Sequence, residues 1–262
     1  MSIAPICKKQ AGFTLLELMV SVAIFVVICG AMFGLLGVTQ KRNQTESQVL
    51  DTFQEARLGL DQIVRDISDA GYPPANHFQV LPPPGNYAQT PVAWDPGYPA
   101  NAPCVVGTAG GGTCNTPGDF DVIFEEDYDG TGVRWVRYQL LGTVLWRGAV
   151  PKGVNPVASF APPGTMVPYI QNVMNNATAA QIVQIKAVYP PMFPGGNPVP
   201  VFNYTFDSTV GAVGCAIPAN SPCNVRDVQV TLIVQSIQRD MQSNAIRLVE
   251  LNGRGHRINP NK

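Results

Sequence analysis

An uninterrupted apolar run with a single acid at its head constrains this chain more than any other feature. From Leu18 to Val38 there is no charged residue, and Ser21 carries the only hydroxyl. A run of this length has the dimensions of a bilayer-crossing helix. Glu17 stands at its start, and a carboxylate near hydrocarbon is costly unless a partner offsets the lost hydration. Lys8-Lys9-Gln10-Ala11-Gly12-Phe13-Thr14-Leu15-Leu16 leads into that acid. A cut between Gly12 and Phe13 would place a new α-amine one helical turn from Glu17. The amine could pair with Glu17 of its own chain or with that of an adjacent chain, and the second pairing would also fix axial register. A signal anchor whose Glu17 snorkels to the interface is the simpler alternative.

The segment Lys9-Gln10-Ala11-Gly12-Phe13-Thr14-Leu15-Leu16-Glu17 resembles the class III signal of type IV prepilins and type II secretion pseudopilins. The resemblance implies that a membrane prepilin peptidase cuts after Gly12 and N-methylates Phe13. It also implies that Glu17 serves subunit docking and that the apolar segment is retained, unlike the core of a secretory signal peptide. Removal of residues 1–12 from 262 leaves a mature chain of 250. Many family members carry a proline midway along this helix. Here Gly30, Gly34 and Gly37 stand instead, softening the helix or simply being tolerated in it. Gly30 and Gly34 form a small-xxx-small pair that permits close helix approach. Lys8 and Lys9 on one side are balanced by Lys41 and Arg42 on the other, so charge alone does not orient the span. The resemblance implies a cytoplasmic N-terminus, a single pass through a bacterial inner membrane and a periplasmic C-terminal domain, which would later pass into a fibre at the cell surface.

Helical patterning continues beyond the membrane-length run. Val49, Phe53, Ala56, Leu60, Ile63, Ile67 and Ala70 recur at intervals of 4 and 3, with Glu46, Asp51, Glu55, Arg57, Asp61, Arg65 and Asp66 on the other face, which should be solvated. This predicts one helix from about Phe13 to Ala70, roughly 85 Å long at about 1.5 Å per residue. Its second half would pack on a sheet of the same chain, and Gly71-Tyr72-Pro73-Pro74 would end it. The organisation expected is a leader at 1–12, a membrane or fibre-core helix at 13–40 and an amphipathic spine at 41–72. A Pro/Gly-rich loop insertion at 73–118 and a β-rich globular part at 119–262 follow. Strand-like runs lie at Asp121–Glu125, Val133–Leu140, Thr143–Arg147, Gln181–Tyr189, Val199–Phe206, Asp227–Ser236 and Ala245–Leu251. Helix first and antiparallel strands after it give an α+β, type IV pilin-like fold.

Ala56 to Tyr72, with its Ala70-Gly71-Tyr72 turn, and the pair Tyr138-Gln139-Leu140 and Gly142-Thr143-Val144-Leu145-Trp146-Arg147 resemble PilW-type minor pilins. The pseudopilin J group shares much of that plan. The resemblance implies a minor subunit that helps initiate, assemble or tip a type IV pilus, with roles in adhesion, twitching motility or DNA uptake. A type II secretion pseudopilin is the alternative, and a tip adhesin using residues 73–118 is another. The implied partners are the prepilin peptidase, other major and minor pilins or pseudopilins, and the inner-membrane assembly platform.

Four cysteines lie beyond the apolar run, Cys104 with Cys114 and Cys215 with Cys223, spaced to close two short loops in an oxidising compartment. Crossed pairing is the alternative. Cys7 would leave with the leader, and Cys29 lies in the apolar helix. A zinc site suits these spacings poorly, since only His77 and His256 could join them. Asp127, Asp129 and Thr131 alternate as at the start of a calcium loop, but Tyr138 stands where such a loop needs its last glutamate. An acidic hairpin is the simpler expectation, and no cofactor is called for. Trp94, Tyr98 and Tyr87 could form a recognition surface or cap the core. Arg254, His256, Arg257 and Lys262 could meet phosphate or form a solvated terminus. A formal net charge of −1 and scattered aromatics give no basis for direct nucleic-acid binding. No phosphate loop, dinucleotide fingerprint or nucleophile motif is present, so no enzymatic role is expected.

Overall fold

The computed structural model describes residues 12–95, 98, 104–106, 113–207, 220–239 and 245–257. The chain divides into two compact units, Met1–Ser47 and Gln48–Lys262. Helix α1 (Leu15–Asp69) supplies the described secondary structure of the first unit and continues into the second. Within the first unit, the large apolar residues from Leu15 to Val38 all keep at least 51 % of their surface accessible. This part of α1 is long and apolar enough to cross a membrane, with a mean hydropathy of 2.6 over its best window and none of that window buried.

In the second unit α1 changes character. Val49, Ala56, Leu60, Ile63 and Ile67 are buried, as the 4–3 spacing predicts. From Ala56 onward they face two antiparallel sheets. The first has the order β1 (Val92–Ala93), β2 (Asp121–Glu126), β3 (Arg134–Leu141), β4 (Val144–Pro151) and β5 (Met166–Ile170). The second has the order β6 (Phe202–Phe206), β7 (Val225–Arg239) and β8 (Ile246–His256). One hydrophobic cluster unites the helix stripe with Val122, Phe124 and Val136 of the first sheet and Val228, Val230 and Leu232 of the second. This is the expected α+β architecture.

Glycine sets how closely the helix lies on the strands. A Cβ at Gly255 would stand 2.3 Å from Ile67, and one at Gly253 would stand 2.8 Å from Val64. A Cβ at Gly59, on α1 itself, would meet Ile170 of β5 at 2.6 Å. The bare backbone at these three positions lets helix and strand seat against each other.

Alternation along β2 and β3 buries both faces of the first sheet. Val122, Phe124, Val136 and Tyr138 point to the α1 side. Ile123 and Trp135 point the other way, into a second cluster with Trp94, Tyr98, Val106 and Phe160. The Pro/Gly-rich segment thus roofs the outer face of the sheet. Trp94 is 1 % exposed, so it and Tyr98 belong to the core and not to a recognition surface, as does the buried Tyr87. A disulfide joins Cys104 to Cys114 in this roof. Cys223 is also disulfide-bonded. Cys215, its expected partner, lies outside the described residues, as does Cys7.

Two expectations are corrected. The run Gln181–Tyr189 is not a strand but helix α2 (Ala179–Val188). Thr178 accepts from the backbone of Gln181 while the Gln181 side chain accepts from the backbone of Thr178, a reciprocal cap that starts the helix. The basic C-terminal residues are not a free tail. β8 extends to His256, and Arg254 donates to Asp227 at 3.0 Å while His256 Nδ1 lies 2.6 Å from it. Burial opposes ionisation of Asp227, but those hydrogen bonds and charges hold its carboxyl below the usual range. Lys262 lies outside the described residues. The β3–β4 hairpin turns at Gly142, whose φ of +61° is the left-handed conformation glycine supplies freely.

Candidate functional site

The processing segment opens α1. Gly12 and Phe13 precede the helix, and Phe13 is 86 % exposed. Thr14 then caps it. The Thr14 backbone N–H and Oγ1 each donate to Glu17 Oε2 at 2.9 Å, and Glu17 N donates back to Thr14 Oγ1 at 3.3 Å. Thr14-x-x-Glu17 is therefore a capping box. In this uncut chain Thr14 is the partner of Glu17, and the α-amine of Phe13 arises only on cleavage. Cleavage after Gly12 would leave this cap intact, because every atom in it lies beyond the cut. Ser21 Oγ donates to the Glu17 carbonyl at 2.7 Å, which satisfies the hydroxyl within the apolar run.

Residues 7–33 match the prokaryotic N-terminal methylation motif. The N-terminal segment is thus type IV pilin-like, and the motif together with the exposed apolar helix points to membrane anchoring. No curated protein and no solved structure matched the chain.

The acidic hairpin is pulled apart by the geometry of its strand. Glu125 and Glu126 are neighbours that point to opposite faces of β2. Glu125 enters the roof side, where Lys152 Nζ donates to it at 2.9 Å, Trp135 Nε1 at 3.2 Å and the Gln89 N–H at 2.9 Å. The Tyr98 hydroxyl also donates to it, and burial beside this carboxylate pushes the Tyr98 phenol far up. Glu126 enters the α1 side, where both its oxygens are buried without a hydrogen-bond partner among the described residues. Burial, reinforced by Asp66 and Asp69 and opposed by Arg147, pushes its carboxyl up to about 9.

In the loop considered for calcium, Asp129 and Thr131 bond to each other, and Asp127 Oδ1 is buried without a hydrogen-bond partner among the described residues. Asp129 Oδ1 accepts from Thr131 N at 3.0 Å and from Thr131 Oγ1 at 2.5 Å, and Arg134 lies 3.4 Å from Oδ2. The Thr131 bonds hold the Asp129 carboxyl below its ordinary range. Among the described residues no group of three or more His, Cys, Asp or Glu is placed to hold a metal ion.

Asp66, expected on the solvated face of α1, is instead buried in a polar network at the end of the helix, because Tyr138 and Arg147 reach it from the sheet. Asp66 is 3 % exposed, and it accepts from the Tyr138 hydroxyl at 2.6 Å and from Arg147 at 3.0 Å. Arg147 Nε also donates to the Tyr138 oxygen at 2.8 Å. The network ties the helix to β3 and β4 through charge-assisted bonds.

Proposed function

We propose that this chain is a minor subunit of a type IV pilus, made as a prepilin, cut after Gly12, methylated on Phe13 and drawn into a fibre through the first half of α1. The observation that carries the reading is the methylation motif at the head of a helix whose apolar side chains have no cover of their own. Such a surface must be covered by lipid or by equivalent helices. Glu17 then has two tasks, capping its own helix and meeting the amine of an adjacent subunit. A pseudopilin of a type II secretion system would use the same segment in the same way.

Glutamine at position 17 separates the two tasks, because it keeps an acceptor for the cap and removes the charge. We expect Glu17→Gln and Glu17→Ala to be cleaved normally and both to be lost from sheared fibres by about tenfold or more, as removal of a desolvated pair partner requires. Normal incorporation of Glu17→Gln would reduce the acid to a cap. Recovery of a chain from cells that begins at Met1 would remove the prepilin reading altogether.

A further inference from the structure

An amine and a carboxyl group are sealed together under the roof of the first sheet. Lys152 directly follows β4, and its Nζ lies 2.9 Å from Glu125 Oε2 on β2. The Lys152 side chain is 3 % exposed and that of Glu125 0 %. The two oxygens of Glu125 are held differently. Oε1 accepts from two neutral donors, the Tyr98 hydroxyl and Trp135 Nε1, the latter at 3.2 Å. Oε2 accepts from Lys152 and from the Gln89 N–H at 2.9 Å. Lys152 Nζ is steadied in turn by the Tyr87 carbonyl, to which it donates at 3.1 Å. A nucleophile thus stands against one oxygen of an acyl group while fixed donors grip the other, which is how acyl-transfer sites meet a developing oxyanion. As ions, the two groups give up hydration that their mutual attraction only partly repays. Forming an amide removes both charges. Their enforced proximity replaces a chance encounter, and the exclusion of solvent opposes the reverse hydrolysis.

We propose that Lys152 and Glu125 condense to an isopeptide bond, which ties β2 to the end of β4 across β3. Nζ first passes a proton to Oε2, leaving a neutral amine beside a carboxylic acid. The nitrogen lone pair then forms the bond to Glu125 Cδ, and the carbonyl electron pair moves onto Oε1, where Tyr98 and Trp135 donate to it. A second proton passes from Nζ to Oε2. The Cδ–Oε2 bond breaks with its pair on oxygen, the Cδ–Oε1 double bond reforms and one water leaves. Of the three ammonium protons, two depart in that water and one stays on the amide nitrogen. No oxidant or further reactant enters. The bond closes a loop between residues 27 apart in sequence, so the outer strands of this three-strand set stay joined when the sheet opens.

The test is the mass of the full chain, purified from membranes in detergent, then reduced and denatured. It should be lighter by one water than the sequence from its observed first residue requires. Trypsin should leave the Lys152–Gly153 bond uncut and release one branched peptide that carries both Lys152 and Glu125. Lys152→Arg keeps the cation without an acylable amine, and it should return to the full sequence mass. Tyr98→Phe removes one of the two donors to Oε1, and in chains sampled soon after synthesis it should slow formation of the branched peptide by about tenfold or more. A parent chain at full sequence mass, with Lys152 cut by trypsin and Glu125 in a linear peptide, overturns the proposal. So does a missing water that persists in Lys152→Arg, since it would then come from elsewhere, such as ring closure at Asp129-Gly130. If Lys152→Arg does not fold, the peptide map of the parent still decides. The outcome is independent of the assembly reading, which is judged by fibre incorporation of the Glu17 variants.

Discussion

The two halves of α1 are built from similar apolar residues with opposite fates. Between Leu15 and Val38 valine, leucine, isoleucine and phenylalanine point in every direction and stay exposed. Between Val49 and Ile67 they are fewer, confined to one stripe and buried. The first pattern has no inside, so its stabilising contacts must come from outside the chain. The second has an inside that its own strands fill. One helix thus carries two solvents' worth of instruction, and substitutions in the two halves should be felt by different measurements.

The largest effect on folding is expected where the second half touches β8. A side chain at Gly255 has no space, since even its Cβ would stand 2.3 Å from Ile67 Cγ2 and 2.5 Å from Ile67 Cβ. Gly255→Val should therefore cost about 3 kcal/mol or more and abolish cooperative urea unfolding of the full chain in detergent. Gly255→Val with Ile67→Ala should recover part of that loss. A Gly255→Val chain as stable as the parent would mean that helix and strand are not held this closely.

The next effect is a dependence on pH. Glu126 is held up to about 9 by burial and by Asp66 and Asp69, against an ordinary value of 4.5. Between those values the folded chain binds the proton more tightly than the unfolded chain. The contribution of this group is therefore greatest at or below about pH 4.5 and is lost as pH rises towards 9. Glu126→Gln keeps the shape and removes the titration. We expect it to be more stable than the parent by a few kcal/mol at pH 8 and nearly equal at pH 5, to the order of magnitude that linkage allows. Parallel stability profiles for the two chains would show that Glu126 is ionised or solvated in the folded state.

How much of this was legible follows the same division. The stripe of α1 could be read because a 4–3 spacing with charges between has one helical solution. The β3–β4 hairpin could be read because Gly142 separates two runs of strand-forming residues. Strand β5 could not, since Pro168 interrupts it, which an edge strand tolerates and a central one does not. Helix α2 was hidden by its β-branched residues Ile182, Val183 and Ile185, although Thr178-x-x-Gln181 marked its start. The same signal stands at Thr14-x-x-Glu17, where the apolar run around the carboxylate masks its role as a cap. For Trp94 and Tyr98 the sequence leaves a roof over the core and a recognition surface open, and it carries no sign of the separation of Glu125 from Glu126. Both depend on the sheet being covered on both faces, which no local pattern records.

The roof should contribute less than the helix interface. The Cys104–Cys114 disulfide closes a loop with a sequence separation of 10. Replacing both residues by serine should cost about 2–3 kcal/mol, mainly through the greater freedom of the unfolded chain. Free thiols at both positions in oxidised, denatured protein would remove the bond, and a loss beyond about 5 kcal/mol would mean that the loop organises the core beneath it.

The smallest effect is the one that tests the contrast most directly. Val26 is 62 % exposed in the first half of α1, and serine has a similar helix propensity to valine. Val26→Ser should change the unfolding free energy of the full chain in detergent by no more than about 0.5 kcal/mol. Its cost should appear instead in retention of the chain by membranes, because the substitution replaces apolar surface in a span with a hydroxyl. Ile63→Ser should show the reverse, with an unfolding loss of at least about 2 kcal/mol, since Ile63 is fully buried. A loss of similar size from Val26→Ser would mean that the first half is folded against something in its own chain. The absence of intrachain cover, on which the assembly reading stands, would then be wrong.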